Sequence, residues 1–273
     1  MRFAFNSYNT SVVFGGPAQL PEVAAAAAAA GYDGVGLDLA SATAHARNGL
    51  GPAEVADVLA HVGLPCAELS FIRVSPDRTE TDRAIEAALP WVTQLRPEHL
   101  QVIVDGDDPP AAVRNVARVS AALEGTPTRL ALEFVPMLAV RSVSEGLAAL
   151  DSADCPSAGL CLDTWHLFHG PDPWAELDRL PLDRLSYVQF TDAAAPVSSD
   201  LRSESLHRRM SPGKGVLPLR RFAATLVDRG FDGLVSVEVL SRELREADLA
   251  ATAAKLHADT QEIWTGASEG RTM

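Results

Sequence analysis

The chain has 273 residues, 47% of them hydrophobic, with a mean hydropathy of +0.05. That composition excludes wholesale disorder and supplies a large core. Acidic residues outnumber basic ones 36 to 23, giving a formal charge of −13, and no basic patch of any length interrupts the excess. A nucleic-acid partner is therefore not expected. Cys66, Cys155 and Cys161 are too few for a disulfide framework and match no CxxC zinc spacing. The start, Met1-Arg2-Phe3-Ala4-Phe5-Asn6, turns polar too soon for a signal peptide, and the alanine run Ala24–Ala30 is too short to span a membrane. The expectation is a cytoplasmic protein without a membrane partner.

Short apolar runs recur along the chain, and each stops at a polar residue. They are Phe3–Asn6, Val35–Asp38, Ala67–Ser70, Leu100–Asp105, Leu130–Glu133, Leu160–Asp163, Tyr187–Gln189 and Val235–Glu238. The polar stops follow one another at 32, 32, 35, 28, 30, 26 and 49 residues. Helical stretches fill the intervals. Pro17–Ala30 has proline at its start and Gly31 past its end, Pro52–Val62 ends at Gly63, and Pro76–Leu95 and Pro110–Leu123 follow. Shorter helices are predicted near Val143–Leu150 and Asp172–Leu180. Leu219–Arg229 and Arg245–Thr260 complete the set. Length alone allows two domains. Eight strand–helix units of about 30 residues favour one α/β domain, a single (β/α)8 barrel over 1–265 with a frayed tail over 266–273.

In the last four runs the polar stop and the residue two before it share a strand face. Ala131/Glu133, Cys161/Asp163, Tyr187/Gln189 and Ser236/Glu238 would point inward, and Leu132, Leu162, Val188 and Val237 outward under the helices. Glu133, Asp163, Gln189 and Glu238 thus converge at the C-terminal strand ends, the face where barrel enzymes keep their chemistry. Three carboxylates brought together repel, and burying them unpaired is costly. One divalent cation resolves both problems. Oxygen ligands without cysteine suit Mg²⁺ or Mn²⁺, and less specifically Co²⁺ or Zn²⁺. The alternative is that these side chains form ion pairs with arginine or lysine at the rim.

Five further residues are candidates. His166 follows Asp163 by three residues, over the metal, where an imidazole either donates to a substrate hydroxyl and serves as acid or base, or merely caps a helix. The 49-residue interval carries His207 and Arg209 ahead of the tight turn Pro212-Gly213-Lys214-Gly215; Arg209 would clamp an anionic or polyhydroxyl substrate. The turn lacks Walker spacing. Arg73 closes the third strand region and either pairs at the rim or neutralises a substrate anion. Asp38 ends the second run, positioned to bind a substrate hydroxyl.

At these residues the sequence resembles the xylose isomerase-like TIM-barrel superfamily of sugar phosphate isomerases and epimerases. The matching pieces are Leu132-Glu133, Leu162-Asp163-Thr164-Trp165-His166, Tyr187-Val188-Gln189-Phe190-Thr191-Asp192, Pro212-Gly213-Lys214-Gly215 and Val237-Glu238-Val239. The resemblance implies one divalent metal on Glu133, Asp163, Gln189 and Glu238. Two branches compete. Ketose 3-epimerases of this group usually have histidine where Gln189 stands, and use the first and last glutamates as an acid–base pair. Bacterial 3-dehydroshikimate dehydratases have glutamine there. They are also similar around Asp163–His166, around His207 and Arg209, and in a third-strand arginine matching Arg73. The first half fits them less well, at Gly36-Leu37-Asp38-Leu39-Ala40 and Asp105-Gly106-Asp107-Asp108.

Both branches share proton abstraction beside a carbonyl, with Glu133, His166 and Glu238 as candidate acid–base groups. An isomerase or epimerase acting on a sugar, sugar phosphate or cyclic polyol ketone ranks first. A dehydratase of a hydroxy-keto acid ranks second, and a barrel that binds a ligand without turnover third. The expected partner is a small hydroxy-ketone, and a homodimer is left open.

Overall fold

The computed structural model describes residues 1–269. Eight parallel strands close a barrel: β1 (Arg2–Asn6), β2 (Gly34–Asp38), β3 (Cys66–Val74), β4 (His99–Val104), β5 (Arg129–Glu133), β6 (Gly159–Asp163), β7 (Leu185–Phe190) and β8 (Leu234–Val237). Each pairs with its sequence neighbours, and β8 pairs with β1 through Phe3 opposite Val235 and Phe5 opposite Val237. This is the single (β/α)8 barrel that the eight runs predict.

The helices sit where Pro and Gly punctuate the chain. Leu20–Ala30 carries proline in its first turn and ends on Gly31 at φ +86°, and Pro52–Val62 ends on Gly63 at φ +74°. Both glycines adopt the left-handed conformation that closes a helix without a Cβ clash. Four α-helices among the described residues are not predicted: Leu39–Arg47, Thr164–His169, Leu201–His207 and Arg242–Glu246. Leu39–Arg47 starts immediately after β2, capped by the Asp38 side chain on the Ser41 amide. The last helix, Leu249–Glu269, runs past the expected start of a tail, so residues 266–269 are its final turn. The expected tail beyond them, 270–273, lies outside the described residues. Among the described residues no helix is long and apolar enough to cross a membrane.

Two concentric layers divide the strand side chains. Leu132, Leu162, Val188 and Val237 join the continuous core between sheet and helices, while Ala4, Ala67, Ala131, Cys161, Tyr187 and Leu234 form a separate cluster inside the barrel. The alternation read from the sequence is the one observed. All three cysteines are free and buried.

The barrel floor holds His99 of β4, buried and stacked on Tyr187 with ring centroids 5.1 Å apart. Burial pushes its imidazole down to about 4. The folded state therefore keeps it neutral while the unfolded chain takes up a proton near pH 6.5. Its contribution is fully present above pH 6.5 and is lost as pH falls through 4, a difference of about 3 kcal/mol. His99→Phe preserves the stacking and should flatten that part of the urea-denaturation stability curve between pH 6.5 and 4. An unchanged slope would show that His99 protonates freely in the native barrel.

Candidate active site

Glu133 ends β5, Asp163 ends β6, Gln189 is the penultimate residue of β7, and Glu238 follows β8 directly. All four are buried and turned inward, at 6%, 0%, 0% and 4% exposure. Each follows an apolar run whose alternate residues pack under helices, so the strand period itself aims the polar stop into the barrel.

The four are linked by hydrogen bonds. Gln189 Nε2 donates to Glu238 Oε1 at 3.1 Å. Gln101 Nε2 donates to Glu133 Oε2 at 2.7 Å and to Gln189 Oε1 at 3.4 Å. His166 lies in the short helix Thr164–His169, which Asp163 caps by accepting the His166 amide at 3.0 Å. Its Nε2 is 3.3 Å from Glu133 Oε1, and its Nδ1 is buried without a partner. His166 thus stands beside the acidic cluster, and the Asp163 carboxylate supplies the helix cap. His169 is instead a packing residue, stacked on Trp165 at 3.8 Å.

Arg209 is the centre of charge. It is 1% exposed, and its Nη1 donates to Asp163 Oδ2 at 2.6 Å and to Glu238 Oε2 at 3.3 Å. Its Nε and Nη2 are held by Ser205 at 3.0 and 3.2 Å. Burial alone would raise Asp163, but Arg209 and His166 outweigh it and hold the carboxyl below its usual value. Burial, with Glu133 and Asp163 nearby, pushes Glu238 well up despite Arg209.

With Glu133, Asp163 and Glu238 all ionised, three carboxylates against one guanidinium would leave two negative charges in a buried space, which one divalent cation would balance. The donors are carboxylate and amide oxygens, suited to a hard cation. Among the described residues Glu133, Asp163 and His166 also offer ligand atoms within 4.8 Å of one another. The residues present fit a divalent metal.

The 49-residue interval is built around this arginine. Asp192–Ala193 and Arg209–Met210 pair as a two-residue antiparallel ribbon, with helix Leu201–His207 between them. The Asp192 carboxylate accepts from the amides of Gly213 at 3.0 Å, Gly215 at 2.9 Å and Leu217 at 2.9 Å. A Cβ at Gly215 would collide with the Ala193 carbonyl. The Pro-Gly-Lys-Gly turn is thus a cradle for the protein's own carboxylate, and it fixes the segment that carries Arg209.

Three expectations need correction. Arg73 does not point inward: β3 runs beyond Ser70, and the Arg73 side chain, 51% exposed, pairs with Asp105 at the rim. Both Asp38 oxygens are engaged within the protein, and the residue is 1% exposed. Oδ1 accepts from Ser41 N and Ser11 Oγ, both at 2.8 Å, and Oδ2 from Ser7 Oγ at 2.9 Å. It ties the β1 loop to the helix after β2. His207 is turned from the carboxylates and holds Arg245, whose Nη2 donates to its Nδ1 at 2.8 Å.

Sequence reasoning missed Gln101 and Glu68. Gln101 stands opposite Ala131 in β4, and extending the inward alternation one strand back would have found it. Glu68 lies beneath the site, its Oε1 accepting from Asn6 Nδ2 at 2.8 Å and from Ser236 Oγ. Gly36 leaves room for it, since a Cβ there would overlap the carboxylate. Burial pushes Glu68 up to about 7.

Residues 24–260 match the family model described as xylose isomerase-like TIM barrel. The chain is 34% identical over 103 residues to a 3-dehydroshikimate dehydratase of Pseudomonas putida and 36% identical over 102 residues to one of Pseudomonas aeruginosa. Each match covers 37% of this chain but 16% of the relative, so most of those longer proteins has no counterpart in the aligned stretch. Among solved structures, an IOLI protein with a bound zinc atom superposes with a TM-score of 0.82 at 15% identity, covering 97% of this chain and 99% of that one. A xylose isomerase-like TIM barrel/4-hydroxyphenylpyruvate dioxygenase fusion protein gives 0.81 at 22%, covering 100% and 44%. An L-ribulose 3-epimerase gives 0.75 at 17%, covering 99% and 97%. These structural likenesses are likenesses of fold. The closed eight-strand barrel and the family match over most of the chain agree: the chain belongs to the xylose isomerase-like TIM barrel family.

Proposed function

We propose that the protein is a divalent-metal-dependent lyase that removes water from a small hydroxy-keto acid of the 3-dehydroshikimate type. One observation carries this reading: the site contains a single acid–base pair free to move a proton. Both oxygens of Glu238 are already engaged, Oε1 by Gln189 and Oε2 by Arg209. Glu238 is therefore fixed between Gln189 and Arg209. His166 retains an unpartnered Nδ1, with its other nitrogen beside Glu133.

Glu133, Asp163, Gln189 and Glu238 would hold the metal, which when bound polarises the substrate carbonyl and lowers the cost of an enolate. His166 takes the proton α to the carbonyl at Nδ1, oriented by Glu133 through Nε2. The α C–H bond breaks and its electron pair passes into the enolate. Collapse of the enolate forms the carbon–carbon double bond, the β C–O bond breaks, and the proton held by His166 leaves with the hydroxyl as water. One base thus serves both half-steps. The partial identity to two 3-dehydroshikimate dehydratases supports the substrate class.

Epimerisation or isomerisation of a sugar ketone is the second reading, favoured by the placement of Glu133 and Glu238 at the ends of β5 and β8. A two-base epimerase would have to free Glu238 from Arg209 first.

The test is incubation of the manganese-loaded protein with 3-dehydroshikimate, following the ultraviolet band of protocatechuate. The band should grow and should vanish with chelator. Folded, metal-loaded protein that leaves 3-dehydroshikimate intact but interconverts ketose epimers would overturn the lyase reading in favour of the second.

A further inference from the structure

Two clefts open beside the chain after β8, one toward the chain after β1 and the other toward the segment after β7. One, about 530 Å³, is walled by Thr10, Ser11, Phe14, His207, Arg242 and Arg245. The other, about 510 Å³, shares His207 and Arg242 and reaches Arg209. Both are of a size that accepts a small organic ligand. The second reaches the site through Arg209, and Thr10 and Ser11 of the first follow Asn9, whose side chain donates to Val237 O at 3.0 Å and accepts from Val239 N at 2.6 Å, either side of Glu238.

His207, Arg242 and Glu246 are common to both clefts, and Arg245 lines the first. Its guanidinium lies 4.0 Å over the Phe14 ring, and Nη1 donates to Leu206 O at 3.2 Å. Nη2 donates to His207 Nδ1, which places the His207 proton on Nε2 and keeps that ring neutral. Among the described residues neither Arg242 nor Arg245 is in an ion pair. Glu246 at the rim is the one carboxylate lining the 530 Å³ cleft, against two guanidinium groups. A part-buried guanidinium held rigidly by neutral partners and an aromatic face is preorganised for an anion. The arginines expected from the sequence to do this are otherwise occupied, Arg73 by Asp105 and Arg209 by Asp163 and Glu238.

We propose that Arg245, fixed by His207 and Phe14 and reinforced by Arg242, is an anion subsite that takes the substrate's carboxylate. The proposal rests on the reading above that the substrate is a hydroxy-keto acid. It also supplies the local positive charge that a protein of net charge −13 needs to capture an anion.

The experiment is calorimetric titration of manganese-loaded wild type, Arg245→Gln and Arg242→Gln with 3,4-dihydroxybenzoate, with catechol, which lacks only the carboxylate, and with inorganic phosphate. Wild type should bind the dihydroxybenzoate at least about tenfold more tightly than catechol. Arg245→Gln should erase that preference and weaken phosphate binding by a similar factor, leaving catechol affinity unchanged. Arg242→Gln, a substitution of an exposed side chain, should give a smaller loss in the same direction. Phosphate and dihydroxybenzoate bound equally by all three proteins would overturn the subsite, whatever catechol does. Phosphate weakened by both substitutions, with neither aromatic bound, would uphold the subsite and count against the proposed reaction. Phosphate bound tightly while the dihydroxybenzoate gains nothing over catechol would overturn the carboxylate assignment and mark a phosphate site.

Discussion

His166→Gln is expected to lower kcat by about 10²–10⁴-fold, the range that a positioned acid–base group contributes. Glutamine retains the backbone amide that Asp163 accepts, so the helix cap survives. It also offers Glu133 a donor in place of Nε2. KM and metal affinity should change little, because the substitution removes a proton carrier and leaves the carboxylate cluster in place. The diagnostic comparison is kcat, KM and manganese affinity on the same preparation. A variant that keeps its kcat would move the proton transfer to a different group, and one that loses manganese in proportion to activity would make His166 a ligand.

Arg209→Met should have the largest effect on stability. It removes the one positive charge inside the barrel mouth and leaves Asp163 and Glu238 buried with no counter-charge. Breaking a buried pair by deleting one partner costs about 3–5 kcal/mol. Methionine fills much of the arginine stem's space, so the loss reports charge more than packing. Urea denaturation in chelator should show the full loss, and added manganese should recover part of it, because a cation that binds only the native cluster stabilises by mass action. Equal stability of both proteins in chelator would mean that the carboxylates are protonated or hydrated in the native state.

The barrel was legible because it rests on a local repeat. Each apolar run of three to six residues ends in a polar side chain, and the period of two assigns its face without any tertiary knowledge. Glu133, Asp163, Gln189 and Glu238 follow from that rule. It fails at β3, where the register shifts against β2 and again against β4, so that Ala67 joins the inner cluster while Glu68 bonds to Asn6 and Ser236. A polar stop placed at Ser70 therefore misassigned Arg73, which the longer strand carries out to Asp105. The helix Leu39–Arg47 was missed because Leu-Ala-Ser-Ala-Thr-Ala-His-Ala-Arg alternates small and polar residues without a 3.6 period. Its start signal, an aspartate three residues before a serine amide, reads equally in the sequence as a group for a substrate hydroxyl. Arg209 was found as a candidate, but its partners lie 46 and 29 residues away in sequence, on two different strand ends. Pairing over such separations is set by barrel closure and has no local signature.

The grip of three amides on Asp192 separates two design problems that a long active-site loop usually mixes. The arginine-bearing return segment is referenced to the end of β7 by that carboxylate, and the ribbon pairs Asp192 with Met210 and Ala193 with Arg209. The excursion between them, residues 194–208, is anchored at both ends. Loop grafting and length variation can therefore be concentrated in its outer part, around residues 195–200, with Arg209 kept in register. Variation there leaves the charge balance of Arg209 with Asp163 and Glu238 to the barrel.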